Sequence, residues 1–408
     1  MAMIAAMDTE PPLASAAQCD EALRSAAHND AFSFWKLPQE WKPALASSIG
    51  ESRAVAQHYL FEEYLSREDR QPPSGMQAYY RIKGLIPARI RHRLNSAAIK
   101  MRGQREFPRW PCESALIDYW RDWVRISLRN LKADDSWHIA FWPGGMKCCV
   151  VLTHDVEGPL GMSRMEAMAD LEERYSFRSA WNLPLSQYEI DWELIGRLRK
   201  RGFEFGAHGL CHDGRLFRSE SDFSQLAPVM QQIAHTHGLN GFRAPSTLRR
   251  AEWIGMLSFD YDCSFSDSDP YEPQPGGTCS IFPFFLANLV ELPYTMPQDH
   301  TMIHLLRRNP MQVWARKAQW IESLGGMVLT LVHPDYCGAG GNLKEYEALL
   351  KQLSEFPSAW RALPSEVAAW WRLRDRMRLS VNDNVPCIEG PGSERAVARM
   401  LSSEAIMR

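Results

Sequence analysis

The sequence predicts an α/β fold in the form of a closed or nearly closed (β/α) barrel, and three observations lead to this prediction. From Lys147 onward, short apolar runs alternate with amphipathic stretches of helical length, a pattern typical of a parallel sheet covered by helices. The alternation continues over residues 147–374, and this number of units suits a barrel better than an open three-layer sheet. The composition, with 45% hydrophobic and 23% charged residues in a chain of 408, is that of a globular protein with a buried core.

Apolar runs and amphipathic periodicity predict the elements of this barrel in chain order. Strands are predicted over residues 148–153, 178–183, 203–206, 241–243 and 327–331. Helices are predicted over residues 163–175, 191–201, 223–237, 310–324, 343–353 and 364–373. The flanking regions are predicted to be a loosely ordered lead-in over residues 1–50, a mostly helical N-terminal extension over residues 51–146 and a C-terminal tail over residues 375–408.

A basic segment lies within the N-terminal extension, over residues 81–109, where Arg and Lys stand against the single acid Glu106. Apolar residues recur there at helical spacing, which predicts a short cationic amphipathic helix. Such a helix either packs on the main domain with a solvated basic face, which we favour, or makes peripheral contact with an anionic membrane.

Charge and cysteine usage exclude several classes of protein. The net charge of −3 provides no global field for nucleic acid, so no nucleic-acid partner is expected. The nine cysteines contain no CxxC pair and indicate a reducing compartment.

The first residues carry no Lys or Arg ahead of their short apolar run, so we expect no signal peptide and a cytoplasmic location. Neither GxGxxG, GxxxxGK[ST] nor GxSxG occurs, which argues against nucleotide enzymes and serine hydrolases.

Polar residues follow the first and third predicted strands of the barrel. Asp155 and Glu157, in THDVE, are two residues apart and point the same way on an extended backbone; the alternative is a turn with two solvated acids. His208 and His212, in HGLCH, are spaced so that both imidazoles can reach one ion, although an HxxxH spacing also occurs by coincidence on helix surfaces.

Two further strand ends carry candidate residues. Arg243, in FRAPS, is placed to hold a carboxylate, or else forms a surface salt bridge. His333 follows the apolar run MVLTLV. Because the carboxyl ends of parallel barrel strands meet at one face, an acid, a base, a metal pair and a cationic clamp are predicted to share one site.

The motifs THDVE, HGLCH, RAPS and LVHPDY, in this order and over residues 147–373, resemble those of the polysaccharide deacetylases, carbohydrate esterase family 4. The resemblance implies a distorted (β/α)7 barrel and a divalent metal, usually zinc, bound by an acid and two histidines. It also implies hydrolysis of acetamides on N-acetylhexosamines, while some members of the family act on O-acetyl esters, formamides or non-sugar amides.

The resemblance also implies a role for each matching residue. The metal ligands would be His208, His212 and Glu157. Asp155 would be the catalytic base, Arg243 would orient this base, and His333 would be the general acid. Asp299 would tune the general acid, and the backbone amide of Ser246 would stabilise the oxyanion. The usual motif is T-F-D-D, so the inserted Val156 leaves open which of Asp155 and Glu157 is base and which is ligand.

Two other departures from the family pattern concern Gly209, where Ser or Thr is common, and Ser246, which replaces a usual aromatic residue. Tyr294, Tyr271 and Trp181 are candidates for the missing aromatic contact with a sugar ring.

The sequence therefore predicts a metal-dependent hydrolase that removes an acyl group, in the first place N-acetyl, from a carbohydrate or glycan intermediate. Two alternatives stay open at this point. One is an amidohydrolase for a small non-sugar amide or formamide, and the other is a non-catalytic glycan-binding barrel.

Overall fold

The computed structural model describes residues 18–20, 23, 28–66, 68–71, 106–337 and 343–402. Residues 81–105 of the predicted basic segment lie outside these ranges, so its helix stays a prediction and its membrane contact gains no support. Among the described helices, none is both long enough and apolar enough to cross a membrane.

The strands within the described residues are numbered in chain order. They are β1 (Asp135–Ile139), β2 (Cys148–Asp155), β3 (Ser179–Leu183), β4 (Glu204–Ala207), β5 (Gly241–Phe242), β6 (Tyr261–Asp262), β7 (Phe284–Leu286), β8 (Leu289–Glu291), β9 (Met327–Val332), β10 (Ala359–Arg361), β11 (Arg378–Asn382), β12 (Val385–Glu389) and β13 (Ala398–Ser402).

The α-helices of the same residues are numbered likewise. They are α1 (Ala31–Trp35), α2 (Ala46–Leu60), α3 (Ala115–Leu131), α4 (Pro159–Met162), α5 (Met165–Arg174), α6 (Trp192–Lys200), α7 (Glu220–Thr236), α8 (Ala251–Ile254), α9 (Met311–Ser323), α10 (Leu343–Ser354) and α11 (Pro364–Arg376).

A curled parallel sheet forms the core of the fold. Its strand order is β9, β2, β3, β4, β5, β6, β8, with every neighbouring pair parallel. Beyond β8, the backbone N–H groups of Thr295 and Met296 both donate to the carbonyl oxygen of Leu329 in β9, at 3.1 Å each. These bonds join the two ends of the sheet, so the predicted distorted (β/α)7 barrel is confirmed.

The distortion arises on one side of the barrel. β5 and β6 are only two residues long, and β8 meets β9 through the residues that follow it rather than through a regular ladder. The opposite side is regular, since β2 pairs with β9 over six residues. All eight residues of β2 (CCVVLTHD) are buried, as expected for a parallel strand that is covered on both faces.

The residues before and after the barrel pack on one another. β1 pairs antiparallel with β13, and Phe34 of α1 stacks on Trp120 of α3 with ring centroids 3.8 Å apart. Arg374 of α11 is buried and donates from Nη2 to the carbonyl oxygens of Phe34 and Ile139, at 2.8 Å each. The guanidinium group thereby joins the last barrel helix to α1 and to β1, which both precede the barrel in the chain.

Candidate active site

The two acids of THDVE lie at the carboxyl end of β2. Asp155 is buried, and its Oδ1 accepts a hydrogen bond from Nδ2 of Asn182 at the end of β3, at 2.9 Å. Val156 is fully buried and Glu157 is partly exposed. Val156 belongs to the hydrophobic core, whereas Asp155 and Glu157 both approach histidines of the site, as the alternation of an extended backbone requires.

His208 follows β4 and is oriented by the neighbouring strand. Its Nδ1–H donates to the backbone carbonyl oxygen of Arg243, at 2.9 Å, which leaves the lone pair on Nε2. Among the residues that the structure describes, this buried Nε2 atom has no hydrogen-bond partner. Burial lowers the pKa of His208 to about 4, although the negative charge of Asp155 by itself would raise it. The imidazole is therefore neutral at neutral pH, as a metal ligand must be.

His212 completes a group of three side chains. Its Nε2 lies 3.0 Å from Oε1 of Glu157 and accepts a hydrogen bond from the backbone N–H of Ser246 at 3.2 Å. Ser246 has φ +54°, a left-handed conformation that turns its amide toward His212. The ligand atoms of Glu157, His208 and His212 all lie within 4.8 Å of one another.

These three side chains fit a divalent cation. Two imidazole nitrogens and a carboxylate oxygen form the donor set of many zinc sites. The second observation in favour is the buried Nε2 of His208, which lacks a hydrogen-bond partner within the described part of the chain, because such an atom costs free energy unless something coordinates it. Glu157, His208 and His212 would hold the ion.

Asp155 lies beside this group. Its Oδ2 is 3.8 Å from Nε2 of His208, and its Oδ1 is 3.8 Å from Nε of Arg243. Burial by itself would raise the pKa of Asp155, but His208 and Arg243 lower it below its ordinary value. Asp155 is therefore a carboxylate at neutral pH and can accept a proton.

Arg243 is fully buried rather than part of a surface salt bridge. Its Nη2 donates to Oγ1 of Thr153 at 2.8 Å, and its guanidinium lies over the ring of Tyr294, with 5.8 Å to the centroid. Oδ1 of Asp155 is thus approached by two groups, Asn182 through a hydrogen bond and the Arg243 guanidinium through its charge at 3.8 Å.

His333 follows β9 on the opposite wall of the site. Its Nδ1 donates to Oδ1 of Asp299 at 2.7 Å, and its backbone N–H donates to Oδ2 of the same carboxylate at 3.0 Å. Its Nε2 faces the acids, 3.9 Å from Oε1 of Glu157. Burial by itself would lower the pKa of His333, but Asp299, together with Glu157 and Asp155, raises it to about 10. His333 is therefore an imidazolium that can donate a proton.

The eight residues named for the site lie at one end of the barrel, and Asp299, the candidate implied by the resemblance, contacts His333. The roles assigned to these residues stay predictions. Sequence reasoning missed Asn182, Gln187 and Asp335. Asn182 could have been found, because it is a polar residue at the end of a buried strand. Gln187 lies in a turn and Asp335 in a short 3-10 helix, and neither position had a comparable signal.

The expected aromatic contact is wrong for two of its three candidates. Trp181 is fully buried and packs against His154, with ring centroids 4.2 Å apart, and Tyr294 is buried beneath Arg243. Neither ring can stack on a sugar. Tyr271 is partly buried and packs edge-on against Trp110.

No protein-family model matches the chain, and neither does any curated protein. Solved structures similar to it include a Mycobacterium smegmatis protein assigned as a polysaccharide deacetylase, with 20% identity, a TM-score of 0.46 and coverage of 57% of this chain and 92% of that one. PuuE allantoinase has 13% identity, a TM-score of 0.47 and coverage of 57% and 92%. A Pseudomonas aeruginosa PAO1 protein, also assigned as a polysaccharide deacetylase, has 14% identity, a TM-score of 0.44 and coverage of 57% and 93%. Two of these three proteins are assigned to the polysaccharide deacetylases, the family whose motifs this sequence resembles.

Proposed function

We propose that the protein is a metal-dependent hydrolase that removes an acyl group, in the first place N-acetyl, from a carbohydrate. The observation that carries this proposal is the meeting of a Glu–His–His group with a carboxylate on one side and an imidazolium on the other. Hydrolysis of an amide needs an activated water, a stabilised oxyanion and a proton for the leaving nitrogen, and each of these needs has a residue at this site.

A divalent cation, probed first as zinc, would lower the pKa of a bound water toward about 7 and polarise the acyl carbonyl. Asp155 would accept the proton of the attacking water, since it is ionised and held by Asn182 and Arg243. The backbone amide of Ser246 points toward the same group of side chains and would donate to the oxyanion. His333 would donate its proton to the leaving nitrogen, with Asp299 fixing its ring.

The substrate class is proposed from the motifs, which resemble those of enzymes that act on N-acetylated sugars. We further propose a cytoplasmic location, which favours a soluble or membrane-bound glycan intermediate over polymeric cell-wall glycan. A small non-sugar amide or formamide is the alternative substrate.

The test combines metal analysis of the purified protein with a screen for acetate and formate release from acylated sugars and small amides. We expect about one equivalent of metal and release of acetate from an N-acetylated sugar. The His208→Ala variant is the control for site-bound metal. Turnover of small amides alone would select the alternative substrate. Bound metal without turnover of any substrate would leave a glycan-binding barrel, and absence of bound metal would contradict the proposal.

A further inference from the structure

The loop that carries Glu157 and the loop that carries His333 are joined by a side chain that the mechanism above does not use. Asp335 lies two residues after His333, in a short 3-10 helix over Pro334–Tyr336. Its Oδ2 accepts from the backbone N–H of Glu157 at 3.0 Å, and its Oδ1 accepts from the backbone N–H of Gly161 at 3.2 Å. Both carboxylate oxygens of Asp335 thus accept hydrogen bonds from the backbone of residues 157–161.

The same two loops are joined in the opposite direction by Arg164. Its Nη1 donates to the backbone carbonyl oxygens of Pro334 and Asp335, at 3.1 and 2.8 Å. One side chain from each loop therefore binds the backbone of the other loop. Such a reciprocal pair fixes the separation of the loops more closely than either set of hydrogen bonds does alone.

The sequence of the segment is adapted to this contact. A Cβ atom on Gly161 would overlap Oδ2 of Asp335 and lie 2.8 Å from its Cγ, and a Cβ on Gly158 would lie 3.3 Å from its Oδ1. The carboxylate can approach the backbone N–H groups because glycine stands at these positions. The glycines of EGPLG and the aspartate of HPDY thus form one packed unit, although 174 residues separate Gly161 from Asp335.

We propose that Asp335 is a positioning residue, which ties the loop of the predicted metal ligand Glu157 to the loop of the predicted proton donor His333. This inference rests on the proposed function, because it takes Glu157 as a ligand. Residues that orient a metal ligand through its surroundings typically change metal affinity by about 10–100-fold when they are replaced. Without Asp335, the backbone N–H of Glu157 loses its acceptor. The Glu157 carboxylate must then become ordered at the moment the ion binds.

The experiment is a titration of the purified chain with Co²⁺, followed by visible absorption, with Zn²⁺ competition. We expect Asp335→Ala to bind Co²⁺ about 10–100-fold more weakly than the unaltered protein. Asp191→Ala is the matched control, since Asp191 also accepts from a backbone N–H, that of Leu194 at 2.9 Å, but caps α6 away from the site. It should bind Co²⁺ with unchanged affinity. The Co²⁺ affinity of Asp335→Asn, which keeps one acceptor oxygen, should lie between the affinities of the unaltered protein and of Asp335→Ala.

Gly161→Ala provides a second and independent variant. Because its methyl group displaces the carboxylate, it should weaken Co²⁺ binding in the unaltered background and add little in the Asp335→Ala background, where the space is empty. Additive losses of affinity in the double variant would overturn the inference. Unchanged Co²⁺ affinity in a folded Asp335→Ala variant would overturn it as well.

Hydrogen exchange without metal separates this inference from the proposed function. Amide exchange in a peptide spanning Glu157 to Gly161 should be faster in Asp335→Ala and unchanged in Asp191→Ala. Failure of the unaltered protein to bind Co²⁺ would overturn the metal-dependent function and the ligand role of Glu157 together. Unchanged exchange in Asp335→Ala would overturn the tether alone.

Discussion

Replacing the two acids of THDVE by their amides, one at a time, separates the base from the ligand. In the unaltered protein, Asn182 Nδ2 donates to Oδ1 of Asp155 at 2.9 Å. The Asp155→Asn variant keeps an oxygen that can accept this hydrogen bond, so its side chain should stay in place. What Asp155→Asn removes is the negative charge. The expected loss in kcat/KM is about 10²–10⁴-fold, the range for a positioned proton acceptor, with metal content near that of the unaltered protein.

The stability cost of the same variant follows from its contact with Arg243. Two unit charges 3.8 Å apart interact by about 4 kcal/mol at an effective dielectric constant of about 20. Since Arg243 is fully buried, this attraction is not replaced by water. We therefore expect the free energy of unfolding to fall by up to about 4 kcal/mol, measured by chemical denaturation.

Glu157→Gln should behave differently, because a neutral amide oxygen is a poorer partner for a divalent cation than a carboxylate. Metal affinity should fall first, and excess metal should partly restore activity. Metal content by mass spectrometry and kcat/KM with and without added metal provide the comparison, with Asp191→Asn as a control for amide replacement away from the site. Loss of metal from Asp155→Asn and its retention in Glu157→Gln would refute the assignment and exchange the two roles.

Three further predictions follow from the geometry of the site and its surroundings. His208→Ala and His212→Ala should each lose bound metal with little loss of fold, because both lie at loop ends; retained metal in both would reject the site. His333→Ala should keep metal and lose more turnover on amides than on an activated ester, whose leaving group needs no proton; equal losses would argue against its role as acid. Burial, reinforced by Asp269, raises the pKa of Glu272 to about 8 from an ordinary value of 4.5. The folded state therefore holds this proton more tightly than the unfolded chain, and the resulting stability is present below pH 4.5 and lost as pH rises through about 8. The Tm of Glu272→Gln should fall less than that of the unaltered protein between about pH 6 and 9, and parallel curves would contradict this.

Much of the site was predictable from local sequence patterns. Asp155, His208, Arg243 and His333 each follow a short apolar run, and such a run is a local signal of a buried strand. The barrel brings the carboxyl ends of its strands to one face, so residues far apart in the chain could be assigned to one place before their contacts were known. The motif order then supplied Asp299, whose contact with His333 the structure shows.

Other features depend on contacts that no local pattern encodes. β6 is only two residues long, too short to give a periodic signal. Trp181 lies one residue before the site residue Asn182. The alternation of β3 nevertheless points the Trp181 side chain away from the site, and its ring packs on His154. Gln187 donates to the carbonyl oxygen of Glu157 and accepts from the N–H of His212, which only the folding of its loop decides.

The sequence alone therefore determined the class of fold and the chemical groups at the strand ends, because both depend on periodicity and residue type. It left open which of Asp155 and Glu157 is the base, and the structure places both within 3.8 Å of a histidine of the same group. Tertiary structure decided how the loops are held, as Asp335 shows by binding the backbone of a segment more than 170 residues earlier. Hydrogen bonds between side chains and distant backbone depend on the path of both loops, and a side chain's type does not reveal which backbone group it will meet.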